Sequence, residues 1–313
     1  MSLACVFPGQ GSQSIGMLRA LGDAHPEVRE TFQEASDVLG FDLWALAQNG
    51  AEEELNRTEN TQPAMLAAGV AVWRVWQGAG GTQPAVMAGH SLGEYTALVC
   101  AGALAYGDAV RLVAERGRLM QGAVAPGEGA MAAILGLDDA QVLDVCERAA
   151  EGGVVEAVNF NSPGQVVIAG DTAAVDRAVA LASQAGARRS VKLPVSVPSH
   201  CRLMAPAAEQ LARYLADVAV SLPGVPVIHN VDAAMRVTPD DIRSALADQL
   251  QRPVRWVDSV RRMAADGVSV VAELGPGKVL TGLNKRIDKS LGAICVQDPD
   301  SLQQALVSCH TGE

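Results

Sequence analysis

Pro84-Ala85-Val86-Met87-Ala88-Gly89-His90-Ser91-Leu92-Gly93-Glu94 is a short apolar run that stops on a glycine and bends at a serine. From Tyr95 to about Ala101 the pattern turns helical. A strand, a glycine-flanked turn and a helix therefore stand in sequence. Gly89-His90-Ser91-Leu92-Gly93 matches G-x-S-x-G, the nucleophile elbow of α/β-hydrolase-like sheets. The serine of such an elbow occupies a strained turn, and the glycines two residues away let strand and helix pass closely. Ser91 then presents its hydroxyl at the start of a helix, with the Leu92 N–H beside it as an oxyanion donor. On the pentapeptide alone, a loop serine capping a helix reads equally well. The flanking strand and helix favour the elbow.

The rest of the chain fits an α/β fold. Leu3–Phe7 reads as a buried strand ended by Pro8-Gly9, and Glu27–Leu39 as a helix. Pro63 opens an apolar helix to about Gln77, buried because it is apolar nearly all round. Asp108–Gln121 is a further helix carrying Arg111, Arg116 and Arg118. Late in the chain, helices near Met204–Ala216, Pro239–Gln249, Val254–Asp266 and Lys278–Lys289 alternate with strands at Val227–His229, Ser269–Glu273 and Ala293–Val296. That alternation implies a large α/β-hydrolase-like domain with a mainly parallel sheet.

The middle differs. Strand Met131–Leu135, helix Asp139–Ala150, strand Val154–Phe160, turn Asn161-Ser162-Pro163-Gly164, strand Gln165–Ala169, helix Thr172–Ala185 and strand Arg188–Lys192 follow in order. This β-α-β-β-α-β order predicts an inserted ferredoxin-like subdomain. Its boundaries fall at Pro126–Gly129 and Pro194–Pro198. The expected division is 1–125 with 196–313 for the large catalytic domain, and 126–195 for the insert.

Composition narrows the function. The chain has 313 residues, 49% of them apolar and 19% charged, which excludes a disordered polymer. Its net charge of −11 argues against nucleic acid as a partner, and any anionic ligand needs a local basic patch. The six cysteines, Cys5, Cys100, Cys146, Cys201, Cys295 and Cys309, form no C-x-x-C pair and no zinc-site spacing, so no metal is expected. Their pattern suits a reducing cytoplasm. The N-terminus shows no signal-peptide pattern, and the apolar stretch Ala64–Trp76, broken by Arg74, is too short for a membrane span.

A serine nucleophile needs a base. Of the five histidines, His25 and His310 read as solvated. His229 ends an apolar strand and reads as either a core or a site residue. His90 adjoins Ser91 and is expected to point away, in a structural role. His200 lies in Val195-Ser196-Val197-Pro198-Ser199-His200-Cys201, an irregular segment where the chain re-enters the main domain, and leads the candidates. No carboxylate stands out to orient it.

Phe7-Pro8-Gly9-Gln10-Gly11-Ser12-Gln13, Gly89–Glu94, Asn159-Phe160-Asn161-Ser162-Pro163-Gly164-Gln165, Pro194–Cys201, Gln249-Leu250 with Pro253-Val254, and Glu273-Leu274-Gly275-Pro276-Gly277 together resemble the malonyl-CoA:acyl carrier protein transacylase family. The motifs run in family order from residue 7 to about 285. The resemblance implies ping-pong transfer of malonyl from malonyl-CoA, through Ser91, to the phosphopantetheine thiol of acyl carrier protein. CoA is the other product, and no further cofactor is implied. It places His200 as the partner of Ser91 without an aspartate, and the carbonyl of Gln249 as the group that orients it. Gln10 and Leu92 are placed at the oxyanion hole, Arg116 on the malonyl carboxylate, and Asn161 near the pocket. Without the resemblance, Arg116 reads as a solvated charge and Asn161 equally as a turn residue.

Ser199 before His200 looks like the free-standing enzymes, which leans toward fatty acid synthesis over a polyketide pathway. The alternatives are an acyltransferase for another acyl group, an esterase or thioesterase on the same elbow, and a non-catalytic carrier-binding scaffold. The acidic carrier protein requires a positive face. Arg188, Arg189 and Lys192, or Lys285, Arg286 and Lys289, supply candidates.

Overall fold

A computed structural model describes residues 2–195 and 197–310, the last without its side chain. Nine strands are seen among them: β1 (Leu3–Phe7), β2 (Val86–Gly89), β3 (Gly129–Leu135), β4 (Val155–Ser162), β5 (Gln165–Asp171), β6 (Arg189–Lys192), β7 (Val227–Ile228), β8 (Val270–Leu274) and β9 (Gly292–Val296). They form two sheets, ordered β7-β2-β1-β8-β9 and β4-β5-β3-β6. Every pairing in the first is parallel and every pairing in the second antiparallel. The fold is thus α/β, with a parallel sheet and a separate antiparallel one of ferredoxin-like order.

β1 is apolar without alternation because both its faces are covered. Leu3, Cys5 and Phe7 pack into the core that contains the helix Thr58–Gly78, while Ala4 and Val6 pack with Trp256, Val260 and Leu280 on the other side. Parallel pairing brings the carboxyl ends of β1, β2, β7 and β8 to one edge. The loops leaving them, at Gln10, Ser91, Asn230 and Gly275, gather there, where open α/β sheets bind ligands.

The small sheet has its own core, with Ile134, Val142, Val166, Ile168 and Val175 buried between strands and helices. It touches the large unit near the same edge, where Phe160 N–H bonds to Val254 O at 3.0 Å and Val254 N–H to Val158 O at 2.8 Å.

Two sequence expectations are corrected. The long apolar helix starts at Thr58, and Pro63 sits inside it. The turn before the proline closes through Arg57 O, which accepts from Asn60 N–H and Thr61 N–H, each at 2.8 Å. Only the single bond that proline cannot donate is lost. Asn161 and Ser162 belong to β4, so the hairpin turn is Pro163-Gly164 alone, with Gly164 at φ 71°. Ser196, within the motif before His200, lies outside the described residues, as does the side chain of His310. No helix among the described residues is long and apolar enough to cross a membrane.

Candidate active site

The elbow forms as its spacing requires. Ser91 sits at φ 51°, a left-handed conformation worth about 1–3 kcal/mol of strain in a non-glycine residue. A Cβ on Gly89 would overlap the carbonyl of Gly93, so strand and helix close only with glycine there. The backbone groups of Ser91 are held by amides from distant segments: its N–H donates to Asn230 Oδ1 at 2.7 Å, and its carbonyl accepts from Gln249 Nε2 at 3.0 Å.

Ser91 Oγ lies 2.8 Å from His200 Nε2. His200 is 2% exposed and also left-handed, at φ 66°, with its own N–H bonded to Leu250 O at 2.9 Å. Its Nδ1 is 2.6 Å from the Gln249 carbonyl. A carbonyl only accepts, so Nδ1 carries the proton and Nε2 offers a lone pair to the serine hydroxyl. That is the tautomer a general base requires. Burial, reinforced by the charge of Arg116, lowers its pKa from 6.5 to about 3, so the imidazole is neutral at physiological pH.

Arg116 projects from the helix Tyr106–Gln121 and is 1% exposed. Nη1 donates to Gln62 Oε1 at 2.7 Å, and Nη2 to Gln249 Oε1 at 3.0 Å and Ser91 Oγ at 3.3 Å. The guanidinium carbon stands 5.3 Å from the Tyr95 ring centre. Nε is buried without a partner, and among the described residues Arg116 forms no ion pair. A buried guanidinium held only by neutral oxygens beside a nucleophile is prepared to take a carboxylate. Burial lowers its pKa. Arg111 and Arg118 face solvent instead, paired with Asp108 and Glu115.

The side chain of Gln10 points to Thr58, donating to its Oγ1 at 3.2 Å. Neither the Gln10 nor the Leu92 backbone N–H donates to an acceptor among the described residues, and a Cβ on Gly9 would overlap the His90 carbonyl, so the loop carrying Gln10 passes close against the elbow. This leaves two amides beside Ser91 for an oxyanion. Asn161 Oδ1 accepts from His90 Nε2 at 2.8 Å, so His90 links the elbow to β4 while its ring packs against Trp256. Burial lowers the His90 pKa.

A model of the family described as "Acyl transferase domain" matches residues 4–298. The malonyl CoA-acyl carrier protein transacylase of Escherichia coli K12 is 59% identical over 303 residues, covering 97% of this chain and 98% of that protein. The chain belongs to the malonyl-CoA:acyl carrier protein transacylase family. Among solved structures, an acyl carrier protein S-malonyltransferase from Vibrio cholerae superposes with a TM-score of 0.95 at 56% identity, over 97% of this chain and 99% of that one. A malonyl-transacylase in complex with a type II polyketide acyl carrier protein gives 0.98 at 55% identity, over 98% and 100%.

The structure brings Ser91, Leu92, Gln10, Arg116, His200 and Gln249 to one edge of this transacylase-family fold, with Asn161 reached through His90. Sequence reasoning missed Gln62, Asn230 and Glu94 as members of the same network, and left His229 open between a core and a site residue. Glu94 follows the elbow directly and was quoted in its motif. Asn230 follows β7 at the ligand-binding edge, the one positional signal that could have found it.

Proposed function

We propose that the protein moves malonyl from malonyl-CoA to the phosphopantetheine thiol of acyl carrier protein through an ester on Ser91. The observation that carries the reading is Arg116, buried, in no ion pair among the described residues and within hydrogen-bond reach of the serine oxygen. In a malonyl thioester the free carboxylate and the reacting carbonyl are separated by one methylene. Seating the carboxylate on Arg116 therefore sets the carbonyl at Ser91.

Ser91 Oγ attacks that carbonyl while its proton passes to His200 Nε2. The oxyanion is held by the N–H groups of Leu92 and Gln10. The C–S bond then breaks, and the departing thiolate takes the proton from His200. The carrier thiol repeats the steps in reverse, giving its proton to His200 and receiving malonyl as a thioester. Gln249 keeps His200 in its tautomer through its carbonyl, and Asn161 turns its amide nitrogen to the acyl or pantetheine chain. We assign residues 1–125 and 196–313 to the catalytic domain and 126–195 to the insert. The place of action is the cytoplasm, where the product feeds fatty acid synthesis.

Mass spectrometry after mixing with malonyl-CoA tests the reading. A malonyl adduct is expected on the peptide containing Ser91, absent in Ser91→Ala. No adduct, or an adduct elsewhere, would end it. Fast hydrolysis of that ester with no gain from carrier protein would favour a thioesterase.

For docking, the late-helix cluster is favoured. Arg286 Nη1 reaches Gln165 Oε1 across from the small sheet at 2.7 Å, whereas Lys192 is paired with Asp176. Lys285→Glu with Lys289→Glu is expected to raise KM for carrier protein severalfold and leave hydrolysis of the acyl-enzyme unchanged. Unchanged carrier kinetics would exclude this face.

A further inference from the structure

Two amides clamp the strained backbone of Ser91, and both are seated on one carboxylate. Glu94 is 0% exposed. Its Oε1 accepts from His229 Nδ1 at 2.7 Å, and its Oε2 from Asn230 N–H at 2.9 Å and Gln249 Nε2 at 2.8 Å. Asn230 passes the restraint on: Oδ1 takes the Ser91 N–H at 2.7 Å, and Nδ2 donates to Gly89 O at 2.7 Å. Gln249 does the same from the other side, through Ser91 O, Arg116 and His200.

We infer that Glu94 is the positioning residue of the nucleophile, fixing the turn of Ser91 and the polarity of Gln249 together. A carboxylate accepts and cannot donate. It forces the NH₂ end of Gln249 toward itself and toward Ser91 O, which leaves the oxygen end of that amide for Arg116. It likewise fixes the Asn230 backbone N–H, and hence the side chain whose oxygen holds the Ser91 N–H. His229 must carry its proton on Nδ1; its Nε2 is buried without a partner. A glutamine in place of Glu94 offers one oxygen to three donors. Its NH₂ would oppose either a donor of the cluster or force the His229 proton onto the unpartnered Nε2.

The inference rests on the acyl-transfer reading for its kinetic arm only. The test compares wild type with Glu94→Gln, using Asn230→Ala as a second variant that removes one clamp and leaves the charge in place. Three quantities are read: the rate at which phenylmethylsulfonyl fluoride modifies Ser91, kcat and KM for malonyl transfer, and the unfolding temperature. The sulfonyl fluoride is small and neutral, and it needs neither Arg116 nor a CoA site.

In both variants labelling and kcat are expected to fall together by about 10²-fold, as for a nucleophile displaced by about 1 Å, with KM for malonyl-CoA within about threefold. Labelling of a folded Glu94→Gln at the wild-type rate overturns the inference. So does a loss confined to malonyl transfer, which would mean that Glu94 acts on Arg116 alone. Should Glu94→Gln fail to fold, wild-type labelling of Asn230→Ala overturns it equally. If malonyl-CoA leaves no ester on the wild type, the transfer reading fails while the labelling comparison still decides this one.

Discussion

Replacing Arg116 by Ala lowers malonyl transfer by about 10²- to 10³-fold and leaves acetyl transfer within about tenfold of wild type. The difference follows from what the guanidinium lacks. Its direct contacts are the amide oxygens of Gln62 and Gln249, the Ser91 hydroxyl and the Tyr95 ring, none of them charged, and the Glu94 carboxylate lies on the far end of the Gln249 amide. Malonate brings the missing anion and pairs with two parallel N–H groups; acetyl brings nothing. Truncating one member of a buried, hydrogen-bonded charge pair costs about 2–5 kcal/mol, and about 1.4 kcal/mol is tenfold in rate. The loss of charge is offset in the fold: the buried side-chain oxygens of Gln62 and Gln249 lose their donor, so the unfolding temperature is expected to hold or fall. Arg111→Ala and Arg118→Ala, on the solvent side of the same helix, serve as controls without effect. Steady-state kinetics with malonyl-CoA and acetyl-CoA checks this, and an equal loss for both donors would refute the carboxylate contact.

The sequence exposed the sheets and the long helices because they carry local signals, whereas the short helices Arg19–Ala24, Leu43–Asn49 and Glu52–Leu55 were not read from it. β1 ends on Pro8-Gly9, and the elbow places glycine where no Cβ fits. The insert announces itself by two strand–helix pairs around Pro163-Gly164. The helix start at Thr58 was hidden because a proline reads locally as a beginning, whereas the turn before it is closed by Arg57 O. That turn matters, since it carries Thr58 toward Gln10 and leads into Gln62, which holds Arg116.

The site was legible in part. Ser91 is found by spacing, and His200 by its place where the chain re-enters the domain. Arg116 and Gln249 were found through the resemblance, because one arginine on a helix and one glutamine at a helix end have no pattern of their own. Asn230 and Gln62 had no signal of that kind, and His229, at the end of an apolar strand, reads equally as core or site. They reach the site from separate segments, and what gives each a role is hydrogen bonding to groups more than 50 positions away. The search for a carboxylate beside His200 failed for a physical reason: a backbone carbonyl does that work, and every residue has one.

His200→Ala is expected to slow malonylation of Ser91 by about 10²- to 10⁴-fold, the range for losing a positioned general base. The pH dependence tests the mechanism more sharply. Burial, and then the positive charge of Arg116, disfavour the imidazolium and lower its pKa to about 3. In the free enzyme the base is thus ready throughout the range where an ordinary histidine takes up its proton, so kcat/KM for malonyl-CoA stays flat from about pH 8 to about pH 5. Bound malonate neutralises Arg116 and removes that repulsion, which makes His200 more basic in the complex. The acid limb of kcat therefore lies at higher pH than that of kcat/KM. Stability has the matching sign. The unfolded chain binds the proton near 6.5 and the folded one only near 3, so stability is complete above about pH 6.5 and falls as pH drops toward 3. By pH 5 the loss from this residue is about 2 kcal/mol, and His200→Ala removes it, so the variant tolerates acid better than wild type. A kcat/KM profile that bends near 6.5, or an unfolding temperature equally acid-sensitive in both proteins, would show that the buried imidazole is not the group in charge.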